Sequence, residues 1–576
     1  MRKDIQGLLI PIIKNSLKDL NLHKAYDGFL CLDLPQDNRF GDLSTNIALR
    51  LSKATAKSPF EISTALVDNI KKYLEKSILR NYIKEVRAEG AGFINFYLSN
   101  NYFYEQLHNV ISKGKNFIRA NVGKARRVLI EFVSANPTGP LSVAHARQAA
   151  AGDVLANILD CLGFSVKREY YLNDEGNQIN ILGKSIELRL KELFGERVEF
   201  PEDHYQGEYI YDIAKEISAS AQGRCVSGAK GGSAYGGKGQ RLKVKDFSGY
   251  GVKYILNIIK NELNDFGVRF DYWYSQKKLR ESGKINRALD FLKKKGFIYE
   301  QDGALWFKST LFGDDKDRVV VKSDGTYTYL APDIAYHEDK FKRGFSWLIN
   351  FWGPDHHGYI NRLKAAVAAL GENPDSLSII IVQLASIFRE GKPIQMSTRR
   401  GQYITLREVL DEVGLDASRF FFLMRRTSSH LDFDLDIAKK QTSENPVYYV
   451  QYAHARICSI LQNSSIKVRF TQPLRAGAGF KDIDLTLLKE KEEVELIKKI
   501  CQFSYILNIC FTTLDPYMLT VYLQELAENF HKFYDKHRVL GQDDKLTKAR
   551  LALIEGARLA ISSGLDLLGV SRPEKM

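Results

Sequence analysis

Cysteine is scarce in this sequence, and the six cysteines are widely separated. They occur at positions 31, 161, 225, 458, 501 and 510, without a Cys-x-x-Cys pair. Small disulfide-stabilised domains and zinc ribbons both depend on closely spaced pairs. The sequence therefore predicts free, mostly buried thiols in a reducing compartment and no structural metal.

Long apolar segments are also absent. No run approaches the roughly 18 apolar residues that a membrane-spanning helix needs. The stretch 8–13 is too short for the core of a signal peptide, and Lys14 interrupts it. These absences predict a cytosolic protein that has no membrane partner.

Chain length and positive charge are abundant by contrast. The 576 residues are enough for roughly three or four domains. Lysine and arginine number 83 against 69 acidic residues, a formal net charge of +14. Such a surplus suits a polyanionic partner, because each neutralised phosphate releases counterions. Charge alone leaves the choice open between nucleic acid and a generally basic surface.

Periodicity along the chain predicts a multidomain α/β protein with three regions. Residues 1–112 indicate a small α+β domain, with a helical pattern from Ser44 and a strand at 93–98. Residues 113–440 alternate strands and helices, which is typical of an α/β domain with a parallel sheet. Residues 441–576 are helical throughout, so we expect a helical domain there.

A βαβ unit within the second region is the most informative segment. A strand at 128–133 leads through a loop rich in proline and glycine to Ser142, a good N-cap for a helix ending near Cys161. A second strand follows at 165–172. Strands are also predicted at 347–352 and 378–383, with a helix between them. Ligands are expected at the carboxyl ends of such parallel strands.

The segment 222–240 is of low complexity and is predicted to be a flexible insertion. It contains a near match to a phosphate-binding loop, Gly232-Ser-Ala-Tyr-Gly-Gly-Lys238. The next residue is Gly239 rather than the serine or threonine that would hold magnesium, and no strand precedes the run. The phosphate-loop interpretation is therefore disfavoured.

Two segments are candidates for binding a nucleotide triphosphate. His145 lies one turn into the helix that begins after Ser142, where free backbone N–H groups attract anions. The loop Gln395-Met-Ser-Thr-Arg-Arg-Gly401, with Lys392 upstream, offers hydroxyls and cations that could close over pyrophosphate. Taken alone, an ordinary surface histidine and a solvated basic loop explain these features better.

Two further segments suggest ligand contacts. Tyr329 stands four residues before Asp333, and a ring beside a carboxylate suits a guanidinium. An Asp333 that caps the helix while Tyr329 packs nearby is an equally good interpretation. The turn Trp352-Gly-Pro-Asp-His-His-Gly358 is better explained by nucleotide contact than by metal binding, since adjacent histidines diverge.

The order and spacing of these segments resemble one family. Ser134-Ala-Asn-Pro-Thr-Gly-Pro-Leu-Ser-Val-Ala-His-Ala-Arg147 resembles the His-Ile-Gly-His signature of class I aminoacyl-tRNA synthetases in its arginyl form. Gln395-Met-Ser-Thr-Arg-Arg-Gly401 resembles their second signature, Lys-Met-Ser-Lys-Ser. Other blocks are similar to segments of arginyl-tRNA synthetases, namely 40–46, 90–95, 169–178, 329–337, 352–358, 444–456 and Met576. The resemblance covers nearly the whole chain outside 222–240.

This resemblance implies a Rossmann-type catalytic domain, an N-terminal domain that contacts the outer corner of the tRNA, and a helical anticodon-binding domain. It implies that arginine is activated with ATP and transferred to the terminal 2′-OH of tRNA(Arg), with activation dependent on bound tRNA. Magnesium would accompany ATP, and we expect a monomer. The residues implied to hold arginine are Glu131, Asn136, Tyr329 and Asp333.

The resemblance assigns the remaining site residues as well. Those that would face ATP or act in catalysis are Ser142, His145, Gly353, Asp355, His357, Lys392, Met396 and Ser397. Those that would contact tRNA are Phe93 and Asn95 at its outer corner and Tyr449, Arg456 and Met576 near the anticodon.

Three positions depart from the family's signatures. Ser142 replaces the first histidine and Ala144 the glycine of the first signature, while Gln395 replaces the first lysine of the second. Two alternatives remain in view: a class I synthetase for another amino acid, and a non-catalytic tRNA-binding relative. The arginyl-type blocks argue against the first, and the intact Asn136, Asp333 and His145 argue against the second.

Overall fold

The structure is a computed structural model that describes residues 5–25, 30–35, 37–221, 246–394, 403–466 and 483–576. Its α-helices in chain order are α1 (Ile5–Asp19), α2 (Ile47–Thr55), α3 (Pro59–Glu75), α4 (Asn100–Lys113), α5 (Val143–Cys161), α6 (Asn177–Leu193), α7 (Glu208–Ala221), α8 (Phe247–Asp265), α9 (Gln276–Glu281), α10 (Lys284–Lys294), α11 (Leu330–Lys342), α12 (Ile360–Ala369), α13 (Leu406–Phe422), α14 (Leu435–Lys439), α15 (Pro446–Asn463), α16 (Lys491–Cys501), α17 (Phe503–Thr513), α18 (Tyr517–Lys536) and α19 (Asp544–Leu568). Its strands are β1 (Leu43–Thr45), β2 (Ile83–Glu89), β3 (Phe93–Leu98), β4 (Arg127–Glu131), β5 (Ser165–Leu172), β6 (Tyr272–Ser275), β7 (Ile298–Gln301), β8 (Ala304–Phe307), β9 (Arg318–Val321), β10 (Trp347–Trp352), β11 (Leu377–Ile381), β12 (Ala385–Arg389), β13 (Lys392–Pro393) and β14 (Leu431–Asp434). The predicted insertion at 222–240 lies outside the described residues.

The first of two compact units comprises Met1–Phe117, Ser459–Gln502 and Glu528–Ala560. Its sheet has the order β1-β3-β2 and is antiparallel. The strand predicted at 93–98 is confirmed as the central strand β3. Helix α3 begins with a reciprocal hydrogen-bonded cap between Ser58 and Glu61, which satisfies backbone donors that the first turn would leave unpaired.

The start of the second helix differs from the prediction. A helical pattern was expected from Ser44, but Ser44 lies in β1, and α2 begins only at Ile47. The short strand forms because Ser44 pairs with Asn95 on β3, and its hydroxyl donates to the Asn95 amide oxygen at 2.6 Å. A contact between residues so distant in the chain outweighs local helical periodicity.

The second unit comprises Ile118–Cys458, Phe503–Ala527 and Ile561–Met576. Its main sheet is parallel, with the strand order β11-β10-β4-β5-β6. The predicted βαβ unit is confirmed, since β4 and β5 are parallel neighbours joined by α5. Helix α5 is rich in alanine and almost entirely buried, which lets it pack closely on the sheet.

The order of these strands creates a switch point. From β4 the chain proceeds to β5 on one side of the sheet, whereas β10 lies on the other side of β4 and is followed outward by β11. Loops at the carboxyl ends of β4 and β10 therefore diverge to opposite faces and leave a crevice, the usual ligand site of an open parallel sheet. The candidate residues that follow β4 and β10 lie at this edge.

Two smaller sheets and a set of helices complete the second unit. One sheet is antiparallel with the order β7-β8-β9, and the other has the order β13-β12-β14. The helical character predicted after residue 441 is confirmed for α15 to α19. Of these helices, α16 belongs to the first unit and α17 to the second, whereas α15, α18 and α19 are divided between the two units. Among the described residues, no helix is long and apolar enough to cross a membrane.

Candidate active site at the switch point

The loop that leaves β4 is held in a strained conformation. Val133 and Ser134 have φ angles of 68° and 40°, in the left-handed region that side chains with a Cβ rarely adopt. The Ser134 hydroxyl donates to Glu131 Oε1 at 3.1 Å and accepts from the Tyr171 backbone N–H at 3.1 Å. These bonds fix a turn that directs the chain from β4 across the crevice, and such strain is typical of functional sites.

The start of α5 orients His145. Ser142 is the N-cap residue, as predicted. Its backbone N–H donates to His145 Nδ1 at 3.2 Å, and its hydroxyl oxygen lies 3.0 Å from the same nitrogen. Because Nδ1 accepts, a neutral His145 ring carries its proton on Nε2.

The ionisation state of His145 follows from its surroundings. Burial lowers the pKa of His145 to about 4, so the ring is neutral at pH 7. A neutral ring with a proton on Nε2 can donate one hydrogen bond to a phosphate oxygen. It brings no positive charge of its own, so the positive end of the helix must supply the electrostatic attraction.

Behind the strand ends, Lys340 of α11 connects the two halves of the crevice. Its ammonium group donates to Glu131 Oε2 at 2.5 Å and to Asn350 Oδ1 at 3.3 Å, and its side chain is completely buried. The Asn350 amide nitrogen donates to His337 Nε2 at 3.1 Å. His337 Nδ1–H in turn donates to the Asp333 carbonyl at 2.8 Å. One hydrogen-bonded chain thus links β4, β10 and α11.

Asp333, the last residue of this series of hydrogen bonds, has a carboxyl group with an unusually high pKa. It is in the first turn of α11, whose N-cap is Tyr329, so the interpretation of Asp333 as a capping residue is wrong. The Tyr359 hydroxyl donates to Asp333 Oδ2 at 2.6 Å. Burial raises the pKa of Asp333 to about 7; the Tyr359 bond and Lys340 oppose this rise, and Glu131 reinforces it.

A second ion pair, between the half-buried Arg343 and the buried Glu169, lies beside the first. Arg343 binds both oxygens of Glu169, at 2.6 and 2.9 Å, and the Tyr336 hydroxyl donates to the same carboxylate at 2.7 Å. The rings of Tyr171 and Tyr274 pack against Tyr336, with centroids 4.5 and 4.7 Å away. This aromatic wall excludes water, which strengthens electrostatic interactions inside the crevice.

The two other residues expected to hold arginine are differently placed. The Asn136 amide nitrogen donates to Gln178 Oε1 at 2.6 Å, which joins the loop after β4 to the first turn of α6. Tyr329 is 79% exposed at the start of α11. Tyr329 is thus accessible to a ligand, whereas Asn136 must exchange or share its hydrogen bond to contact one.

The residues expected near ATP fall into two groups. Gly353, Asp355 and His357 follow β10 in a short helical turn. The side chains of Asp355 and His357 are exposed. Lys392 is exposed in the β12–β13 hairpin. In the antiparallel register of these two strands it stands opposite Arg389. The remaining predicted residues of the second signature, Gln395, Met396 and Ser397, lie outside the described residues.

The residues expected to contact tRNA also differ in exposure. Phe93 is 41% exposed, whereas Asn95 is buried, with its amide nitrogen donating to Glu89 at 2.7 Å. In the second unit, Arg456 and Met576 are exposed, and Tyr449 is half-buried on α15. Phe93, Arg456 and Met576 are accordingly the most accessible of the five.

Sequence reasoning missed three residues that organise the crevice. Lys340 and Tyr359 bind Glu131 and Asp333, and Arg147 donates to the backbone carbonyls of residues 383, 384, 426 and 429. The sequence contains a signal for two of these residues. Lys340 lies seven residues after Asp333, on the same helical face, and Arg147 is the one arginine or lysine within the alanine-rich helix α5. Tyr359 gave no such signal.

Comparisons with known proteins agree with this geometry. A family model described as the class I (R) tRNA synthetase catalytic domain matches residues 106–432. Models of the arginyl tRNA synthetase N-terminal domain and the DALR anticodon binding domain match residues 8–98 and 450–576. The domain that contains the parallel sheet thus belongs to the class I aminoacyl-tRNA synthetases.

Individual relatives identify the family within this class of synthetases. An arginine–tRNA ligase from Geobacter sp. (strain M21) is 44% identical over 577 residues and covers 100% of both chains. One from Geobacillus thermodenitrificans is 46% identical, over 95% of this chain and 94% of the relative. This chain belongs to the arginyl-tRNA synthetase family. The arginyl-tRNA synthetase of Thermus thermophilus has the same fold, with a TM-score of 0.73, 20% identity, and coverage of 99% of this chain and 100% of that one.

Proposed function

We propose that this chain attaches L-arginine to tRNA(Arg) in an ATP-dependent reaction. The observation that carries the proposal is the pairing of two carboxylates, the buried Glu131 and the half-buried Asp333, beside an aromatic wall at the switch point. A planar guanidinium needs carboxylate acceptors in a water-poor site. Full-length similarity to arginine–tRNA ligases supports the same conclusion.

Arginine binding is assigned to four residues. Asp333 and Glu131 would accept hydrogen bonds from the cationic groups of arginine, and Tyr329 would cover the side chain from solvent. Asn136 would contact arginine after giving up or sharing its bond to Gln178. Asp333 is the natural partner of the guanidinium, because Lys340 already engages Glu131.

ATP is assigned to the start of α5 and the turn after β10. Backbone N–H groups near Ser142 and the Nε2–H of His145 would face the phosphates, while Gly353, Asp355 and His357 would lie near the nucleoside. Lys392, Met396 and Ser397 would close over the pyrophosphate. Magnesium enters with ATP and is held largely by its phosphates.

The chemistry has two steps. The arginine carboxylate attacks the α-phosphate of ATP, forming arginyl-adenylate and releasing pyrophosphate. The terminal 2′-OH of tRNA then attacks the mixed anhydride, forming the ester and releasing AMP. The protein contributes by aligning the reactants and by donating hydrogen bonds to the charge that develops on the phosphates.

Transfer RNA is assigned to both ends of the chain. Phe93 would stack on the outer corner of the tRNA, with Asn95 supporting it from within the sheet. Tyr449, Arg456 and Met576 would meet the anticodon. The proposed domains are 1–112, 113–440 and 441–576, in a monomeric cytoplasmic enzyme whose net charge of +14 favours a polyanionic partner.

Arginine-dependent exchange of pyrophosphate into ATP, measured with tRNA present, tests the activation step. We expect exchange with arginine and none with glutamate, glutamine or cysteine. Exchange with one of those amino acids instead would reject the arginine assignment. No exchange with any amino acid would indicate that the altered residues Ser142, Ala144 and Gln395 have abolished activation.

A further inference from the structure

The ion pair between Lys340 and Glu131 has a consequence for the arginine site, provided that the proposed function is correct. Lys340 is completely buried, and its ammonium group is bound by one carboxylate, Glu131, and one amide oxygen, that of Asn350. It also lies 4.1 Å from the ring centroid of Tyr336. These contacts hold the cation in one place without any substrate.

Charges around Asp333 can be assigned group by group. Lys340 offsets Glu131, and Arg343 offsets Glu169 through two hydrogen bonds. His337, Tyr171 and Tyr359 are uncharged at neutral pH. Burial keeps the pKa of His337 well below its usual value, and burial raises the pKa values of the Tyr171 and Tyr359 hydroxyls beyond the neutral range. The Arg362 guanidinium carbon lies 4.8 Å from the centroid of the Tyr359 ring, and its charge opposes the rise in the pKa of the Tyr359 hydroxyl. Asp333 is therefore the one carboxylate among these groups that has no cationic partner.

We propose that Lys340 is a positioning residue for arginine: it is the built-in cation that neutralises Glu131, so that the pocket offers one net negative charge, at Asp333, to the guanidinium. Without Lys340, Glu131 and Asp333 would repel each other, and the buried pocket would hold a proton instead of its second charge. Lys340 thereby opposes the protonation of Asp333, the carboxylate that meets the guanidinium. It acts through Glu131 and Asp333 and does not touch the substrate.

Removing the charge of Lys340 and removing the charge of Glu131 should shift the pKa of Asp333 in opposite directions. Lys340 lowers the pKa of Asp333 and Glu131 raises it. The KM for arginine falls as Asp333 loses its proton, so the midpoint of this fall reports that ionisation. Lys340→Met should move the midpoint upward, and Glu131→Gln should move it downward. The double variant lacks both charges and should return close to the wild-type midpoint.

The experiment is the pH profile of arginine KM in pyrophosphate exchange, with the full-length enzyme and saturating tRNA. For a unit charge a few ångströms away we expect shifts of about one pH unit. Lys342→Met is the matched control: Lys342 is on the same helix and paired with Glu338, but it is 66% exposed. That variant should leave the midpoint unchanged.

Lys340→Met leaves a buried carboxylate unpaired and can fail to fold. The comparison between Glu131→Gln and the double variant then isolates Lys340, and the double variant should have the higher midpoint. Equal midpoints in all variants, with only kcat or stability changed, would overturn the proposal and reduce Lys340 to a structural role. Wild-type enzyme without arginine-dependent exchange would instead reject the proposed function itself.

Discussion

At the scale of single residues, Asp333 is half-buried, accepts a hydrogen bond from Tyr359 and has a pKa raised to about 7. Arginine requires the carboxylate, so binding should strengthen as pH rises through this value and weaken below it. In the wild type we expect arginine KM to fall between about pH 6 and pH 8. Initial-rate measurements across this range, with ATP saturating, check the direction.

Asp333→Asn should raise arginine KM at pH 8 by roughly 10- to 150-fold, since a hydrogen bond to a charged group contributes about 1.5–3 kcal/mol. The pH dependence of KM should become flat, because the titrating group is gone. Glu338→Gln, on the same helix and beside Lys342 rather than the crevice, is the control. An unchanged KM and an unchanged pH profile in Asp333→Asn would remove Asp333 from the arginine site.

His145 is neutral above its pKa of about 4, and its Nδ1 is occupied by Ser142. His145→Ala should therefore lower kcat by about 10²–10³, the effect of losing one preorganised donor, with little change in arginine KM. Since the ring stays neutral, His145 should add no ionisation to the kcat profile between pH 6 and 9. Wild-type kcat in this variant would contradict the assignment of the α5 start to ATP.

At the scale of elements, Arg147 fastens the first turns of α5 to the segment after β11 and to the segment between α13 and β14. Its guanidinium donates at 2.8 and 3.3 Å to the carbonyls of Gln383 and Leu384, and at 2.9 Å to those of residues 426 and 429. The point ammonium of lysine cannot reproduce this fork. Arg147→Lys should lower the free energy of unfolding by about 1–3 kcal/mol, because buried carbonyls lose their donors.

Arg147→Lys should also raise the KM for ATP, because the helix start that faces the phosphates loses its anchor. Arg419→Lys is the matched control. Arg419 is equally buried and binds the carbonyls of Leu568 and Phe266, together with Asp153. We expect this control to lose similar stability with an unchanged ATP KM. Equal effects of the two variants on ATP KM would show that Arg147 has only a structural role.

Elements with strong local signals were predictable, whereas contacts between distant residues were not. The predicted Ser142 cap places the start of α5 correctly, and the strand predicted at 165–172 is β5. The strand at Ser44 was missed because only its pairing with Asn95 makes it a strand. The partner of Glu131 was missed for the same reason, since Lys340 is 209 positions away in the chain.

At the scale of the whole molecule, the matches to N-terminal, catalytic and anticodon-binding family models cover most of the chain. The family resemblance implies that arginine is activated only with tRNA bound. We expect pyrophosphate exchange to be undetectable with the free enzyme and to appear when tRNA(Arg) is added. Strong exchange without tRNA would contradict this dependence while leaving the arginine assignment intact.

The most direct test of the central claim is aminoacylation of tRNA(Arg) with labelled arginine, followed on acid gels with the purified full-length chain. We expect ATP-dependent charging with arginine, a slower rate in His145→Ala, and a raised KM for arginine in Asp333→Asn. A folded wild-type chain that binds tRNA(Arg) without charging it, or that charges tRNA with another amino acid, would contradict the proposed arginylation activity.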